Sequence, residues 1–272
     1  MISDLHIHTH FSDGLYSPAK VVYLAKNMGL KAIAITDHDN IYGIEQAIKA
    51  SKDLDDFTVI PGIEFGCIHE DEEVHILGYF IDYHSPSIVN IIKKLQKSRL
   101  ERGLQIIEKL DGIGINIVDG ELRQDLSNHD YIGRPHIARA LIRGGYVSSI
   151  QEAFNLYLDR GKPAYAERYR LDLVDTIDLI HRVNGLAVLA HPGLLRWKTT
   201  IDHCIDMGID GLEAIHPSHH RKDILYLIEQ ANKHGLFTTG GSDFHGDNDS
   251  KELLLGKYYI NLNDICQMKE RI

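Results

Sequence analysis

The sequence predicts an α/β barrel that carries a helical insertion. Short apolar runs typical of strands alternate with helical segments over most of the 272 residues, and such repeated βα units predict a parallel sheet, open or closed into a barrel. Residues that can bind metals follow most of the predicted strands, at the ends where α/β barrels assemble their active sites. The hydrophobic content of 43% is enough for a large core, and one such barrel spans about 250 residues.

The N-terminal part of the chain contains four predicted strands. A helix after the first strand opens with Ser17 and Pro18, a capping residue followed by a proline suited to the first helical turn. The run KAIAIT is typical of a buried strand. The predicted elements are, in order, a strand at 3–8, a helix at 17–29, a strand at 31–36, a helix at 43–52, strands at 59–65 and 74–81, and a long helix that begins near Pro86.

The middle of the chain interrupts this alternation. Helical pieces at 134–143 and 150–158 follow one another without a strand between them. We therefore predict a helical insertion at residues 101–166, and a barrel formed by residues 1–100 and 167–272. The later elements are a helix at 171–185, a strand at 186–192, a helix that ends near Gly208, a strand at 211–217, a helix that ends at Gly235 and a strand that begins at Phe237.

Composition excludes several classes of partner. The formal net charge of -10 argues against a duplex DNA surface, because phosphate neutralisation dominates that affinity. No stretch approaches the roughly 18 apolar residues of a membrane span, and the first residues lack the basic and apolar regions of a secretory signal. Three well-separated cysteines indicate reduced thiols and a cytoplasmic location. The sequence carries no indication of an oligomeric state.

The chemistry-bearing residues follow the predicted strands. His6 and His8 alternate on the first strand, so both imidazoles lie on one face and can reach one ion. Each short motif is common by itself, and their joint occurrence at successive βα junctions is what indicates a metal site. His75 is an exception because it lies at the start of its strand. The other residues of this pattern are Asp13, Asp37, His38, Glu64, His191, His216, Asp243 and His245.

These motifs resemble the PHP (polymerase and histidinol phosphatase) family over nearly the whole chain. The matching runs are DLHIHTHFSDG, ITDHD, PGIE, VHILGYFID, GRPHIARAL, AHPG and GSDFHG. With GRPHIARAL in the insertion, the chain is most similar to the stand-alone 3′,5′-nucleoside bisphosphate phosphatases, some of which trim RNA 5′ ends (RNase AM). The resemblance implies a distorted (β/α)7 barrel with a trinuclear metal site.

The resemblance also implies which residues hold the ions. Carried over position by position, one ion is held by His6, His8, Glu64 and Asp243, a second by Glu64, His75 and His191, and a third by Asp13, His38 and His245. Mixed imidazole and carboxylate ligands favour three divalent ions of Mn, Fe or Zn. The expected reaction is in-line attack of a metal-bound hydroxide on a phosphate monoester.

Substrate contacts are expected outside the ligand set. Arg134 and His136 belong to the GRPH element, and arginine provides a planar fork for phosphate oxygens. His219 follows a strand end, where it is a candidate substrate contact or general acid. With Asp243, these are the predicted catalytic residues. The expected partner is a small phosphorylated substrate, a 3′,5′-bisphosphonucleotide or a short 5′-phosphorylated RNA.

Three other interpretations stay open at this level. A phosphatase that acts on a small metabolite such as histidinol phosphate would use the same metal site. A metal-dependent amidohydrolase would attack carbon instead, although the bridging lysine typical of that class is not evident. A metal-stabilised binding module without catalysis would keep the ligands but show no turnover.

Overall fold

The computed structural model describes residues 1–120, 122, 132–246 and 253–272. The chain divides into two compact units, one formed by Met1–Asn90 with Arg170–Ile272 and the other by Ile91–Tyr169. The sequence prediction placed these boundaries at 100/101 and 166/167. The first boundary now falls inside a continuous helix, Pro86–Gly112.

The described residues of the first unit form an eight-stranded mixed sheet, in the order β7-β6-β5-β4-β3-β2-β1-β8. The strands are β1 Ile2–Asp4, β2 Ala32–Ile35, β3 Thr58–His69, β4 Glu72–Tyr79, β5 Leu186–Leu189, β6 Gly211–Ile215, β7 Phe237–Gly240 and β8 Ile260–Asn261. The amide of Leu5 donates to the carbonyl of Gly240 at 3.2 Å, and Ile7 bridges Phe244 in parallel. The chain segment after β1 therefore meets the segment at and after β7, and the sheet forms a nearly closed barrel.

The predicted parallel sheet is mixed in the structure, and β4 is the predicted strand whose direction differs. β4 runs antiparallel to both β3 and β5, and the short β8 runs antiparallel to β1. Only Glu70 and Asp71 separate β3 from β4, and so short a loop can only make an antiparallel hairpin, whereas a parallel pair needs a crossover. The sequence prediction also omitted β8 and the helix that follows it.

The helices of the first unit pack against the sheet. They are α1 Pro18–Asn27, α2 Tyr42–Ser51, α6 Leu173–Arg182, α7 Thr199–Asp206, α8 Arg221–His234 and α9 Leu262–Glu270. Successive residues of β2 show how the strands divide the core. Ala32 and Ala34 belong to a buried cluster with residues of the opposite strands, whereas Ile33 and Ile35 pack in a cluster with residues of α1 and α2. This period of two is what a strand with one face inside the barrel requires.

The second unit is helical and has a core of its own. Among its described residues, the helices are the body of α3 Pro86–Gly112, α4 Arg134–Arg143 and α5 Ile150–Ala153, which continues as a π-helical turn, Phe154–Leu158. Ile106, Leu110, Ile137 and Leu141 are buried together. Among the described residues, no helix combines the length and the apolar character that crossing a membrane requires.

Candidate metal centre

Glu64, in the middle of β3, lies at the centre of a ring of histidines. Its side chain is 1% exposed, and its two carboxylate oxygens face five imidazoles. Oε1 lies 2.8 Å from His75 Nδ1 and 3.0 Å from His191 Nε2. Oε2 lies 3.0 Å from His38 Nδ1 and 3.2 Å from Nε2 of both His6 and His8. The structure thus gathers these six residues, which the sequence spreads over 186 positions from His6 to His191, around one carboxylate.

The reversed direction of β4 explains the unusual position of His75. Every other candidate ligand follows the C-terminal end of a strand or lies well along it, whereas His75 is the fourth residue of β4. Because β4 is antiparallel to β3, its N-terminal half lies at the end of the barrel where the parallel strands finish. His75 pairs with Gly66, two residues beyond Glu64, and its ring reaches back to that carboxylate.

Asp243 completes a first group of donors with His6, His8 and Glu64. Its Oδ1 lies 3.4 Å from His6 Nε2 and 3.1 Å from His8 Nε2. The four donor atoms all lie within 4.8 Å of one another. The group has the same membership as the first ligand set predicted from the sequence.

Asp13 organises a second group beside the first. Its carboxylate lies 3.3 Å from His245 Nε2, 3.8 Å from His8 Nδ1 and 3.9 Å from His38 Nε2. Its donor atoms and those of His8, His38 and His245 also lie within 4.8 Å of one another. His38 therefore faces Asp13 with one ring nitrogen and Glu64 with the other, so it joins the two groups.

The unpaired ring nitrogens fit a divalent ion. Among the described residues, His8 Nε2 and His38 Nδ1 are buried and take part in no hydrogen bond, although each lies near an oxygen of Glu64. Buried polar atoms nearly always find a partner, so two unpaired imidazole nitrogens beside one carboxylate leave lone pairs that an ion could accept. Imidazole nitrogens with carboxylate oxygens form the donor set that Zn, Fe and Mn accept. The residues therefore fit metal binding.

The carboxylates of the centre are held in the ionised form. Burial raises the pKa of Glu64, but the electrostatic interactions with His38, His6 and His75 outweigh it and hold that pKa well below its usual range. Burial likewise raises the pKa of Asp13, and His245 and His38 reverse the effect. Ionised carboxylates are the form that binds a cation.

The histidines respond in opposite directions. Burial lowers the pKa of His75, but the charge of Glu64 brings it to about 9. Burial also lowers the pKa of His245, and Asp13 raises it to about 10. Burial dominates for His38, whose pKa falls to about 3 despite Glu64. In the metal-free protein, protons on some histidines therefore balance the carboxylates, and a metal ion would displace them.

A buried carboxylate behind the candidate ligands orients them, and the sequence analysis missed it. Glu213, in β6, is fully buried and lies 3.0 Å from His6 Nδ1, while its other oxygen accepts the amide of His191 at 2.7 Å. A carboxylate on Nδ1 keeps the proton there and leaves Nε2 for a metal. The signal available in the sequence was an acidic residue within the otherwise apolar strand GLEAI.

Asp37 has a similar role for the loop that carries Asp13. It accepts hydrogen bonds from the amide and hydroxyl of Thr9, both at 2.7 Å, and from the hydroxyl of Ser12 at 2.7 Å. These bonds hold residues 9–13 against the end of β2. Asp37 is therefore a positioning residue, while its neighbour His38 faces the metal centre.

The backbone at two candidate ligands is strained, and one glycine permits a close approach. His191 and Asp243 have positive φ values of 31° and 49°, which non-glycine residues seldom adopt and which cluster at functional sites. At Gly241, an added Cβ would lie 2.3 Å from Cβ of His6. Only glycine therefore lets the end of β7 pass beside His6 and deliver Asp243 to the centre.

His216 and His219 lie at the end of β6 but differ in their surroundings. His216 Nδ1 accepts the amide of Ser218 at 3.1 Å, and its Nε2 lies 3.5 Å from Asp243 Oδ2. The backbone engages both ring nitrogens of His219, since Nδ1 donates to the carbonyl of Ala214 at 2.9 Å and Nε2 accepts the amide of Gly193 at 3.0 Å. A catalytic role for His219 stays a prediction, and it requires one of these bonds to open.

Arg134 and His136 lie in the second unit, in the first turn of α4. His136 Nδ1 accepts the amide of Gly133 at 3.2 Å, and the guanidinium of Arg134 lies 5.3 Å from the ring centroid of Phe154. The start of a helix favours anionic ligands. Their contact with a substrate phosphate stays a prediction.

Comparison with known proteins identifies similar chains. The PHP domain matches residues 4–159. A 5′-3′ exoribonuclease, Rnm, from Salmonella typhimurium is 34% identical over 252 residues, which cover 90% of this chain and 85% of that protein. A 3′,5′-nucleoside bisphosphate phosphatase from Chromobacterium violaceum is 34% identical over 248 residues, 89% of this chain and 86% of that protein. The crystal structure of a metal-dependent phosphoesterase from Bifidobacterium adolescentis superposes with a TM-score of 0.89 at 28% identity, covering 99% of this chain and 96% of that one.

Proposed function

Because this chain belongs to the PHP family and is a metal-dependent phosphoesterase, we propose that it removes phosphate from nucleotides. The substrate would be a 3′,5′-bisphosphonucleoside or a short RNA with a 5′ phosphate. The similar exoribonuclease and bisphosphate phosphatase support this choice. The observation that carries the hydrolytic function is the convergence of five imidazoles on the buried carboxylate of Glu64.

We propose three divalent ions of Mn, Fe or Zn. One would be held by His6, His8, Glu64 and Asp243, a second by Glu64, His75 and His191, and a third by Asp13, His38 and His245. The first set matches the group around Asp243, and the third lies within the group around Asp13. For the second set, the support is that His75 and His191 both contact Oε1 of Glu64. His38 lies between Glu64 and Asp13, where it would be a shared ligand. When bound, the ions would supply positive charge for the phosphate oxygens and lower the pKa of a nearby water.

The protein's own residues would orient the ligands and the substrate. Glu213 holds the Nδ1 proton of His6, so that the Nε2 lone pair of His6 faces the centre. The amide of Ser218 occupies Nδ1 of His216, which places the ring proton on Nε2, towards Asp243. Arg134 would bind a substrate phosphate through its planar fork, with His136 beside it in α4. The contacts of Glu213 and Ser218 fix the geometry of the imidazoles before the substrate arrives, which is how a rigid site lowers a barrier.

Phosphate release from a substrate panel tests the proposal. The purified protein, loaded with Mn, is given a 3′,5′-bisphosphonucleoside, AMP, histidinol phosphate and a 5′-phosphorylated RNA oligomer at equal concentrations. We expect selective release from the bisphosphate or the RNA. Preferential release from histidinol phosphate would replace the nucleotide with a small metabolite. Bound metal without release from any substrate would contradict the proposal and favour a binding module.

The location we propose is the cytoplasm. Cys67, Cys204 and Cys266 are all free thiols, and the first two are buried, so they pack as small apolar side chains. Free thiols are typical of a reducing compartment. Activity in the soluble fraction of a cell lysate, measured against the membrane and secreted fractions, checks this expectation.

A further inference from the structure

A second group of metal-binding side chains lies away from the centre at Glu64. It consists of His69 at the end of β3, Glu70 in the turn before β4, and His203 in α7, and we call it the hairpin–helix cluster. None of the three belongs to a motif that the metal centre uses. His69 lies five residues beyond Glu64 on the same strand, or about 16 Å at about 3.3 Å per residue. The two sites are therefore separate.

The two histidines of the cluster face each other closely. His69 Nε2 lies 2.8 Å from His203 Nδ1, and the rings are nearly perpendicular, at 77°, with their centroids 5.0 Å apart. One carboxylate oxygen of Glu70 lies within 4.8 Å of both nitrogens. Both histidines are half-buried and Glu70 is exposed, so the cluster is open to ions from solvent.

We propose that the hairpin–helix cluster binds one divalent ion of the zinc class. Two imidazoles and one carboxylate are a ligand set that zinc accepts, with water in the fourth position. At zinc–nitrogen distances of about 2.0–2.1 Å, tetrahedral geometry puts two ligand nitrogens about 3.3 Å apart. The pair would therefore open by about 0.5 Å, which small side-chain rotations supply. Glu70 lies in an exposed two-residue turn, where its side chain can adjust.

An ion in this position would join two parts of the barrel unit. His69 and Glu70 belong to the β3–β4 hairpin, which also carries Glu64 and His75, whereas His203 belongs to α7. The same hairpin and helix already meet where Glu72 accepts the hydroxyl of Thr200 at 2.8 Å. Because an ion that binds only the folded state stabilises it, zinc would hold the hairpin against α7 and raise the unfolding temperature.

Metal stoichiometry tests the proposal without any activity assay. The whole protein, His203→Ala and a control, His234→Ala, are dialysed against the same low concentration of Zn²⁺, and bound zinc is measured by elemental analysis. His234 is also a helix histidine, but it is exposed in the last turn of α8. We expect His203→Ala to bind one zinc fewer per chain than the other two proteins, and to lose the part of the zinc-dependent rise in unfolding temperature that this ion supplies.

Glu70→Gln provides a second variant whose folding is not in question, because residue 70 is exposed. We expect its affinity for the same ion to fall by about tenfold or more, since the carboxylate is lost. Circular dichroism of both variants checks that they fold. If folded His203→Ala and Glu70→Gln both bind zinc with the stoichiometry and affinity of the unaltered protein, the proposal is wrong. The two histidines would then share only a hydrogen bond.

Discussion

Replacing Glu64 with glutamine is the most direct perturbation of the metal centre. The change keeps the shape of the side chain but removes one negative charge. It also converts one of the two oxygens into an NH₂ group, which donates hydrogen bonds and cannot bind a metal. Either the two imidazoles at Oε1 or the three at Oε2 would then face a donor in place of an acceptor.

The size of the effect follows from the charges. Two unit charges 4 Å apart interact by about 4 kcal/mol at an effective dielectric constant of about 20, so one carboxylate attracts one divalent ion by about 8 kcal/mol. Water and the remaining ligands recover part of this energy. If only one third is lost, about 2.7 kcal/mol, the affinity for the ion falls about 100-fold. Glu64 is a proposed ligand of two of the three ions, so the variant should lose at least one ion.

The assay combines elemental analysis with phosphate release from a 3′,5′-bisphosphonucleoside. We expect Glu64→Gln to bind at least one ion fewer per chain and to show a kcat/KM lower by about 100-fold or more, because each 1.36 kcal/mol of lost stabilisation is tenfold. Glu45→Gln is the matched control, since Glu45 is exposed on α2 and pairs with Lys49 at 2.8 Å. Unchanged metal content and turnover in Glu64→Gln would refute the reasoning, because no bridging carboxylate would then be needed.

Three further predictions concern the surroundings of the centre. Glu213→Gln removes the charge that orients a ligand imidazole, so titration should show metal affinity weaker by about 10–100-fold; an unchanged affinity would mean that Glu213 is only structural. Gly241→Ala places a Cβ 2.3 Å from Cβ of His6 and should lower the free energy of unfolding, measured in urea, by about 1–3 kcal/mol. Gly112→Ala is the control, because an added Cβ there meets no described atom within 4 Å, and the free energy of unfolding should stay equal or rise. His75 and His245 have raised pKa values of about 9 and about 10 in the metal-free protein, so their protons stabilise that form fully below about pH 6.5 and are lost as the pH rises through those values. Metal binding near pH 7.5 should therefore release protons and become tighter towards pH 9. Calorimetry in buffers of different ionisation enthalpy measures this release. Proton uptake, or an affinity that does not change with pH, would contradict the assignment of His75 and His245 as metal ligands.

The candidate ligands that gather around Glu64 and Asp13 could be predicted from the sequence because each lies in a short motif. His6 and His8 follow from the alternation of a strand, and Asp243 and His245 from the polar run that ends the seventh strand. Such patterns are local. The rule that active sites of α/β barrels form at the C-terminal ends of the strands then predicts that these distant motifs meet at one end of the barrel. The alternation of strands and helices was equally visible, because the periods of two and 3.6 are properties of neighbouring residues.

Other features depend on pairings between distant residues. The predicted strands ended at residue 65 and began again at residue 74, which hid the two-residue turn that reverses β4, and that direction brings His75 to Glu64. Glu213 was overlooked because one acidic residue in a strand acquires meaning only from the imidazole it meets, 207 positions away. His219 looked available in the sequence, whereas the structure shows the backbone engaging both of its ring nitrogens.

The sequence by itself determined the kind of chemistry, through its histidines and carboxylates, and the α/β architecture that carries them. The tertiary structure alone decided how the ligands group around Glu64, which buried carboxylates orient them, and that His69 meets His203 at the edge of the barrel. The physical reason is that side-chain type and periodicity are encoded residue by residue. Distances and burial, and the pKa shifts that follow from them, arise only when strands far apart in the chain pack together.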